Sequence, residues 1–466
     1  MLANQSIRYQ NELKGRRTNW ILAQLNQHMH LYGYELIDLP VIDVADLFLV
    51  RAGDQIINSL FTFDRQGKQL ALRPEFTASA ADYFIRTEGS PIVRWQFSGP
   101  VFEDKSHEFS AHFEQLGIGA ELIGLAGSLA EAEIIAMSAG GLEKLGVQNT
   151  LITIGHIGLI REILKQFNLD IRTQRFLLHQ IPAFNDPQKS LKWVLEQFDN
   201  QFSAAANNRV RFDETYTTGN FGLGLGALNS DSLLTMGGRT QEDIARRIKL
   251  KQQRLADRNN VVMAAEFLAN WCQIKGEPRS TFAHLSELIS KNETAVQLLE
   301  EWRNVITLLE IDGIALSKVM IKPDLSRSWE YYTGIVFELH GDGLHLGGGG
   351  RYDELARLVG STVDIPSVGF AYYGNRLVEA LETAPYEFEP IVTIISDQKY
   401  VVGATKYANQ MRSHGISAQI APYPIPNLAG NFEFIMENET TVRFRETKYQ
   451  FAQIDQLIND LKHYTK

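Results

Sequence analysis

Cysteine is almost absent: Cys272 stands alone in 466 residues. That excludes an internal disulfide and any cysteine-rich metal centre, and it points to a reducing, cytoplasmic compartment. Long apolar runs are missing as well. No stretch reaches the roughly 18 uninterrupted apolar residues of a membrane span, and the opening MLANQSIRYQNELKGRRTNW has no apolar core followed by small residues. Neither secretion nor a membrane partner is expected. Basic charge is not in excess, since 45 Lys and Arg face 55 Asp and Glu for a net charge of −10. Nucleic-acid binders draw much of their affinity from phosphate contacts on a basic face, so this balance lowers the weight of RNA binding while leaving room for a local patch. His107, His112 and His156 have no partners at metal-ligand spacing, so no metal site and no cofactor is expected.

What is present is ordinary for soluble globular protein: 44% hydrophobic and 21% charged residues, in a chain long enough for two or three domains. Helical periodicity over 13–32 stops at Gly33. The segment 37–50, IDLPVIDVADLFLV, reads as extended chain broken by Pro40. A strand, a Gln66-Gly67 turn and a second strand follow, then a helix from about Thr77 with Thr77 as its cap. Residues 92–97 and 117–125 read as strands, and 128–145 as a helix capped by Ser128. From 151 to 321 helix-period segments dominate, which reads as a mainly helical insertion between two halves, 1–150 and 322–386, of one sheet-bearing core. The basic run at 246–254, RRIKLKQQR, reads as a solvated helix face. After a linker at 387–390, residues 391–466 alternate strands and helices as a small α/β domain. Its 8 Lys and Arg against 7 Asp and Glu give no electrostatic footprint for RNA.

The stretch 322–376 concentrates the chemistry. Two strand-like runs, IVFEL from Ile335 and LHL from Leu344, flank an Asp342-Gly343 turn and predict a hairpin. Gly347 to Gly350 then lead through Arg351, Tyr352 and Asp353 into a helix-period segment, and a third strand, SVGFAY, starts at Ser367. Glycines there admit a backbone or a ligand at close range.

Taken together, LALRPEFTASAA at 70, FSGPVF at 97, SRSWEYYTGIVFE at 326, GGGRYDEL at 348 and PSVGFAYYGNRL at 366 resemble histidyl-tRNA synthetase and its paralogues, in order and spacing, over about residues 10–385. The resemblance implies an α+β fold: a six-stranded antiparallel class II aminoacyl-tRNA synthetase-like sheet flanked by helices, dimeric through its first helix and strand. It also implies a C-terminal segment like a shortened anticodon-binding domain. For the amino-acid pocket it implies Glu75 and Thr77 as acceptors for the ammonium of histidine, with Gln115, Arg327, Tyr331, Tyr332 and Tyr352 around the rest. An anionic acceptor, a cation for the carboxylate and amide or phenol groups for the imidazole suit that ligand. The family places a glutamate four residues after the glutamine. Here that register gives Gly119, and Glu121 returns to the pocket only if the spacing is altered.

The nucleotide motifs depart from the family. Glu103 stands where an arginine should grip the α-phosphate, Lys105 where a glutamate should be, and Phe109 and Ala111 replace loop arginines. A carboxylate there repels the charge that adenylation develops. In the third motif Tyr373 and Asn375 replace a glycine and a glutamate, although Arg376 remains. A kept amino-acid pocket beside a degenerate ATP site is the pattern of the regulatory subunit of ATP phosphoribosyltransferase, which this chain also resembles in LRPEFTASAA and AELIG. The implied role is a non-catalytic, histidine-binding subunit for the first step of histidine biosynthesis. Its partners would be L-histidine and a short-form catalytic subunit, with a homodimer inside a larger hetero-oligomer. Two alternatives stay open: a divergent histidine-tRNA ligase that binds tRNA, and a non-enzymatic tRNA-sensing or scaffolding paralogue.

Overall fold

The computed structural model describes residues 2–49, 59–87, 89–104, 113–207, 258–325, 331–381, 391–422 and 432–464. Lys105, His107, Phe109, Ala111, His112, Arg327, the basic run at 246–254 and the linker at 387–390 lie outside them. Two compact units emerge, Met1–Thr383 and Ala384–Lys466.

In the first unit helix α1 (Leu2–Leu31) ends before Gly33, whose φ of +83° turns the chain. Strands β1 (Glu35–Leu36) and β2 (Ile42–Val44) follow. The rest of the segment expected to be extended is instead helix α2 (Ala45–Leu49), because Ala45, Leu47 and Phe48 pack on Leu60, Ala71 and Ala78. Tertiary burial overrides local pattern there. Strands β3 (Thr62–Arg65) and β4 (Lys68–Leu72) are joined through Gln66 and Gly67, both at positive φ as a type I′ hairpin turn requires. With β2 they make a three-stranded sheet, β2-β4-β3.

The main sheet begins after helix α3 (Thr77–Arg86) with β5 (Val93–Phe102) and β6 (Glu114–Ile123). Helix α4 (Ser128–Lys144) and β7 (Leu151–His156) come next. Helices α5 (Ile157–Lys165), α6 (Ile171–His179), α7 (Ile181–Phe184), α8 (Leu191–Asn207), α9 (Arg258–Trp271), α10 (Pro278–Ile289) and α11 (Glu293–Ile311) form the helical part. Asp170, Glu277 and Asn292 each accept backbone N–H groups at the starts of α6, α10 and α11, satisfying donors that a helix leaves open. Strands β8 (Val319–Ile321), β9 (Ile335–Gly341) and β10 (Leu344–Arg351), the single turn α12 (Leu355–Leu358), β11 (Ser367–Tyr373) and α13 (Gly374–Ala380) complete the unit.

Strand order is β1-β5-β6-β11-β10-β9-β7-β8. The strands from β5 to β7 pair antiparallel throughout, and only the short outer strands β1 and β8 pair parallel. The six-stranded antiparallel sheet implied by the resemblance is therefore present, widened by one parallel strand on each side. Strands β7 and β8 bracket the helical part, so the segment 151–321 both leaves and rejoins the main sheet.

Three local expectations need correction. The strand expected from Leu344 to Leu346 is longer than read: Gly347 to Gly350 continue it as β10, paired on both sides. Thr77 does not cap α3, whose first N–H groups go to Glu75. Ser128 does not cap α4 either: Gly127 precedes the helix, and the Ser128 hydroxyl donates to Glu301 O at 2.9 Å.

In the second unit β12 (Val392–Ser396), α14 (Val401–Ser413), β13 (Ala418–Pro422), β14 (Phe432–Asn438), β15 (Thr441–Phe444), β16 (Thr447–Gln450) and α15 (Ile454–Tyr464) build a five-stranded sheet of order β13-β12-β14-β15-β16. Val392, Ile394, Tyr407, Met411, Phe434, Val442 and Leu457 form its core. Among the described residues no helix is long and apolar enough to cross a membrane.

Candidate ligand site

Side chains alternate across a strand, so register decides which residues share a face. On β11, Val368, Phe370 and Tyr372 face α4, where the Tyr372 hydroxyl donates to Ser138 O at 2.5 Å. Gly369, Ala371 and Tyr373 face the other way. Pairing carries that second face to Glu121 on β6, Gly348 and Gly350 on β10, and Val336, Glu338 and His340 on β9.

Glu121 is the centre of one cluster on this face. It is 1% exposed and accepts the Thr77 hydroxyl at 2.7 Å and the Tyr352 phenol. Gly369 makes room for it, since a Cβ at 369 would overlap the carboxylate. Burial pushes the Glu121 carboxyl up to about 8, against the pull of the Tyr352 and Thr77 hydrogen bonds, and the Glu75 charge pushes the same way as burial. Glu75 accepts the backbone N–H of Thr77 and that of Ala78, the latter at 2.9 Å. Its carboxyl is also raised by burial, with those hydrogen bonds opposing. The positive end of α3 suits a carboxylate at this point.

Tyr331, Tyr332 and Tyr352 wall the same space. Tyr331 lies edge-on to Tyr352 at 5.8 Å and tilted against Tyr332 at 4.9 Å, and all three pack with Val336 and Leu355. Gly350 lets the Tyr332 ring approach the sheet, because a Cβ there would press on Tyr332 Cδ1 at 3.0 Å. Burial, then nearby acidic groups, raises the phenols of Tyr331 and Tyr352 well above their usual range, so they stand as neutral donors. Two buried carboxyls, a hydroxyl and phenols around one point favour a ligand that brings N–H donors.

Arg351 fixes the wall from behind. Its Nε donates to Glu131 Oε1 at 2.5 Å and its NH1 to Asp353 Oδ1 at 3.0 Å, with the residue 8% exposed. Asp353 Oδ1 also accepts the Ser367 N–H at 2.9 Å, tying the end of β10 to the start of β11.

Of the residues expected in the pocket, Glu75, Thr77, Glu121, Tyr331, Tyr332 and Tyr352 come together. Gln115 does not. Strand β6 pairs without a bulge on either side from Gly117 to Ile123, so Gln115, six residues before Glu121, lies about 20 Å further along the strand. The position four before Glu121 is Gly117, hemmed in by Phe76 and Val101. Glu121 therefore belongs to the cluster, and Gln115 lies outside it.

The far end of the face is occupied by side chains. The Tyr373 ring meets His345 edge-on at 5.2 Å, and the Arg376 guanidinium lies 4.9 Å above the Tyr373 ring while its NH1 donates to His345 O at 2.9 Å. Asn375 Oδ1 accepts the Leu116 N–H at 3.2 Å. Glu103 sits just past the end of β5, its N–H donating to Phe113 O at 3.0 Å. His156 is a buried helix cap: its Nδ1 accepts the Leu159 N–H at 3.0 Å, and burial lowers its pKa to about 4.

Sequence reasoning passed over Arg73, whose guanidinium clamps Leu39 O at 2.6 Å and Pro100 O at 2.8 Å and stacks on Phe76. It also passed over Glu338, His340 and His345. Alternation in IVFELHG puts Glu338 and His340 on one face, and the hairpin pairs His345 with His340, so that grouping was readable from the predicted hairpin.

A family model described as histidyl-tRNA synthetase matches residues 10–190 and 242–377. The chain is 27% identical over 415 residues to a histidine–tRNA ligase of Methanospirillum hungatei, covering 87% of this chain and 81% of the relative. It is 28% identical over 365 residues to an ATP phosphoribosyltransferase regulatory subunit of Sinorhizobium fredii, covering 75% and 93%. Among solved structures, a histidyl-tRNA synthetase from Nostoc sp. PCC 7120 superposes with a TM-score of 0.66 at 16% identity, over 97% of this chain and 96% of that one. A Bacillus halodurans protein described as an ATP phosphoribosyltransferase regulatory subunit/histidyl-tRNA synthetase gives 0.63 at 22%, over 88% and 90%.

Proposed function

This chain belongs to the histidyl-tRNA synthetase family, and from that premise we propose that it is a non-catalytic, histidine-binding regulatory subunit of ATP phosphoribosyltransferase. Relatives bearing the regulatory-subunit name and relatives bearing the ligase name are similar to it at nearly the same identity, so the choice rests on the site. The observation that carries it is the far end of the sheet. Arg376, the arginine that remains from the nucleotide motif, is engaged with His345 O and the Tyr373 ring. Asn375, where the family has a glutamate, holds the Leu116 backbone. With Glu103 in place of a phosphate-gripping arginine, the transition state for adenylation lacks the donors it needs; one lost donor of that kind costs about 10²- to 10³-fold.

The near end is arranged to bind. Glu75, Thr77, Glu121 and Tyr352 offer acceptors and donors for the ammonium and imidazole of histidine, and Arg327 would meet the carboxylate. Histidine binding there would favour one arrangement of a homodimer and alter the activity of a short-form catalytic partner, a coupling commonly worth about 1 to 3 kcal/mol. The exposed apolar residues Leu36 on β1 and Ile42 and Val44 on β2 suit a dimer contact.

The test has two arms. Histidine-dependent ATP–pyrophosphate exchange should be at background, and histidine should change phosphoribosyl transfer when a short-form catalytic subunit is added. Robust exchange would instead establish the second reading, a divergent histidine-tRNA ligase, which the longer alignment with the ligase relative, 87% of the chain against 75%, favours.

A further inference from the structure

We infer that Glu338, His340 and His345 form a binding site for a zinc-class divalent transition-metal ion at the end of the sheet that Tyr373 closes. One ligand atom from each of the three lies within 4.8 Å of the others, and all three are half-buried. Glu338 and His340 project from β9 on the face that carries Glu121, and the β9–β10 hairpin sets His345 opposite His340. The two imidazole rings stack at 4.9 Å with 22° between their planes. Both present Nε2 to one carboxylate: His340 at 3.3 Å from Glu338 Oε2, His345 at 3.9 Å from Glu338 Oε1.

Two imidazoles and a carboxylate are a donor set that zinc accepts with a position left open, and the same set suits other first-row divalent ions. Magnesium, which asks for oxygen ligands and near-octahedral geometry, is a poor match. Ligand atoms on a tetrahedral ion with bonds of about 2.0–2.1 Å stand roughly 3.3 Å apart. The set therefore has to contract, and side chains that remain 22 to 33% exposed have room to rotate. His345 Nε2 also lies 2.9 Å from Gly347 O. If that bond is kept, Nε2 carries the proton and His345 coordinates through Nδ1, the usual arrangement in which a backbone oxygen orients a metal-bound histidine; coordination through Nε2 requires the ring to leave Gly347 O.

A charged group facing the site from the neighbouring helix is Arg376, held on His345 O and over Tyr373. A guanidinium beside a dication weakens binding of the bare ion and favours an anion, such as hydroxide, in the open position. Along β9 from Val336, which packs in the tyrosine-walled cluster, Glu338 lies about 7 Å and His340 about 13 Å away at the usual strand rise. The site does not depend on histidine binding there.

The experiment uses the full chain without a histidine tag, stripped with chelator and titrated with Zn²⁺ against a chromophoric competitor. Saturable binding of one ion per chain is expected, unaffected by millimolar Mg²⁺, and Co²⁺ should give visible d–d absorption. His340→Asn, His345→Asn and Glu338→Gln should each weaken binding at least about 10-fold. Melting curves of the stripped variants check folding. If a histidine variant does not fold, Glu338→Gln, which keeps shape and removes charge, gives the same reading. Absence of saturable binding at tens of micromolar Zn²⁺ overturns the inference. So does one equivalent bound with unchanged affinity in Glu338→Gln or in the His340→Asn/His345→Asn double variant.

Discussion

Gly369 and Glu121 face each other across the β11–β6 pair, and the carboxylate fills the volume that a side chain at 369 would take. A glycine in a strand interior normally weakens the strand. Here it is the condition for a buried acid at the pocket floor. Gly369→Ala should displace Glu121 from Thr77 and Tyr352 and cost about 1–3 kcal/mol by overpacking. Urea unfolding would read the stability change. Calorimetry should show histidine affinity reduced at least about 10-fold, the worth of one hydrogen bond to a charged group. Full affinity in a folded Gly369→Ala protein would mean that Glu121 is not a ligand group.

Arg351 reaches three groups through one guanidinium: Glu131 on α4, Asp353 just past β10 and, at 3.4 Å, Gly127 O before α4. Glu131 is 6% exposed, so removing its partner leaves an uncompensated buried acid. Arg351→Ala should destabilise the first unit by about 3–5 kcal/mol, and Arg351→Lys by less, because the charge stays while the fork is lost. A loss under about 1 kcal/mol by chemical unfolding would show that the Arg351–Glu131 pair carries little of the packing.

Much of this architecture was legible because it is written in local chemistry. The Asp342-Gly343 and Gln66-Gly67 turns each place two residues at positive φ, as the sequence pattern suggests, and each joins the strands it was expected to join. Most of the buried cluster around Glu121 could be placed because LRPEFT and GGGRYD carry Glu75, Thr77 and Tyr352. Helix α2 was not legible, since its reason is burial of Phe48 against residues remote in sequence. Strand β16 carries little local signal for a similar cause: TKYQ offers one buried side chain, Tyr449, whose backbone oxygen is held by the Tyr407 hydroxyl. The displacement of Gln115 could not be read from a motif either, because it depends on β6 running straight between its neighbours.

The second unit has its own core around Tyr407, Met411 and Phe434, with the Tyr407 hydroxyl donating to Thr440 O at 2.8 Å. A fragment of residues 384–466 should fold alone, with a cooperative thermal transition and dispersed NMR resonances. Tyr407→Phe in that fragment should lose about 0.5–1.5 kcal/mol, the usual net worth of a hydrogen bond. A fragment that shows neither transition nor dispersion would mean that this core needs the rest of the chain.

Glu121 makes a pH dependence with a definite sign. Its carboxyl titrates at about 8 in the folded protein because it is buried, against about 4.3 for an unfolded glutamate. Between those values the native state holds a proton that the unfolded chain has released. The stability that Glu121 contributes is therefore complete below about pH 4.3 and is lost as pH rises through about 8. Glu75, also raised by burial, acts in the same direction. The melting temperature of the wild type should fall from pH 5.5 to 8.5 more steeply than that of Glu121→Gln, which cannot titrate; parallel curves would refute the assignment. Under the proposed function, histidine binding is linked to the same proton. An N–H donor bound at Glu121 favours the ionised carboxylate, so histidine binding at pH 7.5, where its own imidazole is mostly neutral, should release a proton. Calorimetry in phosphate and in Tris should then give different apparent enthalpies for the wild type and matching ones for Glu121→Gln. Equal enthalpies in the wild type would place the ligand away from this carboxyl.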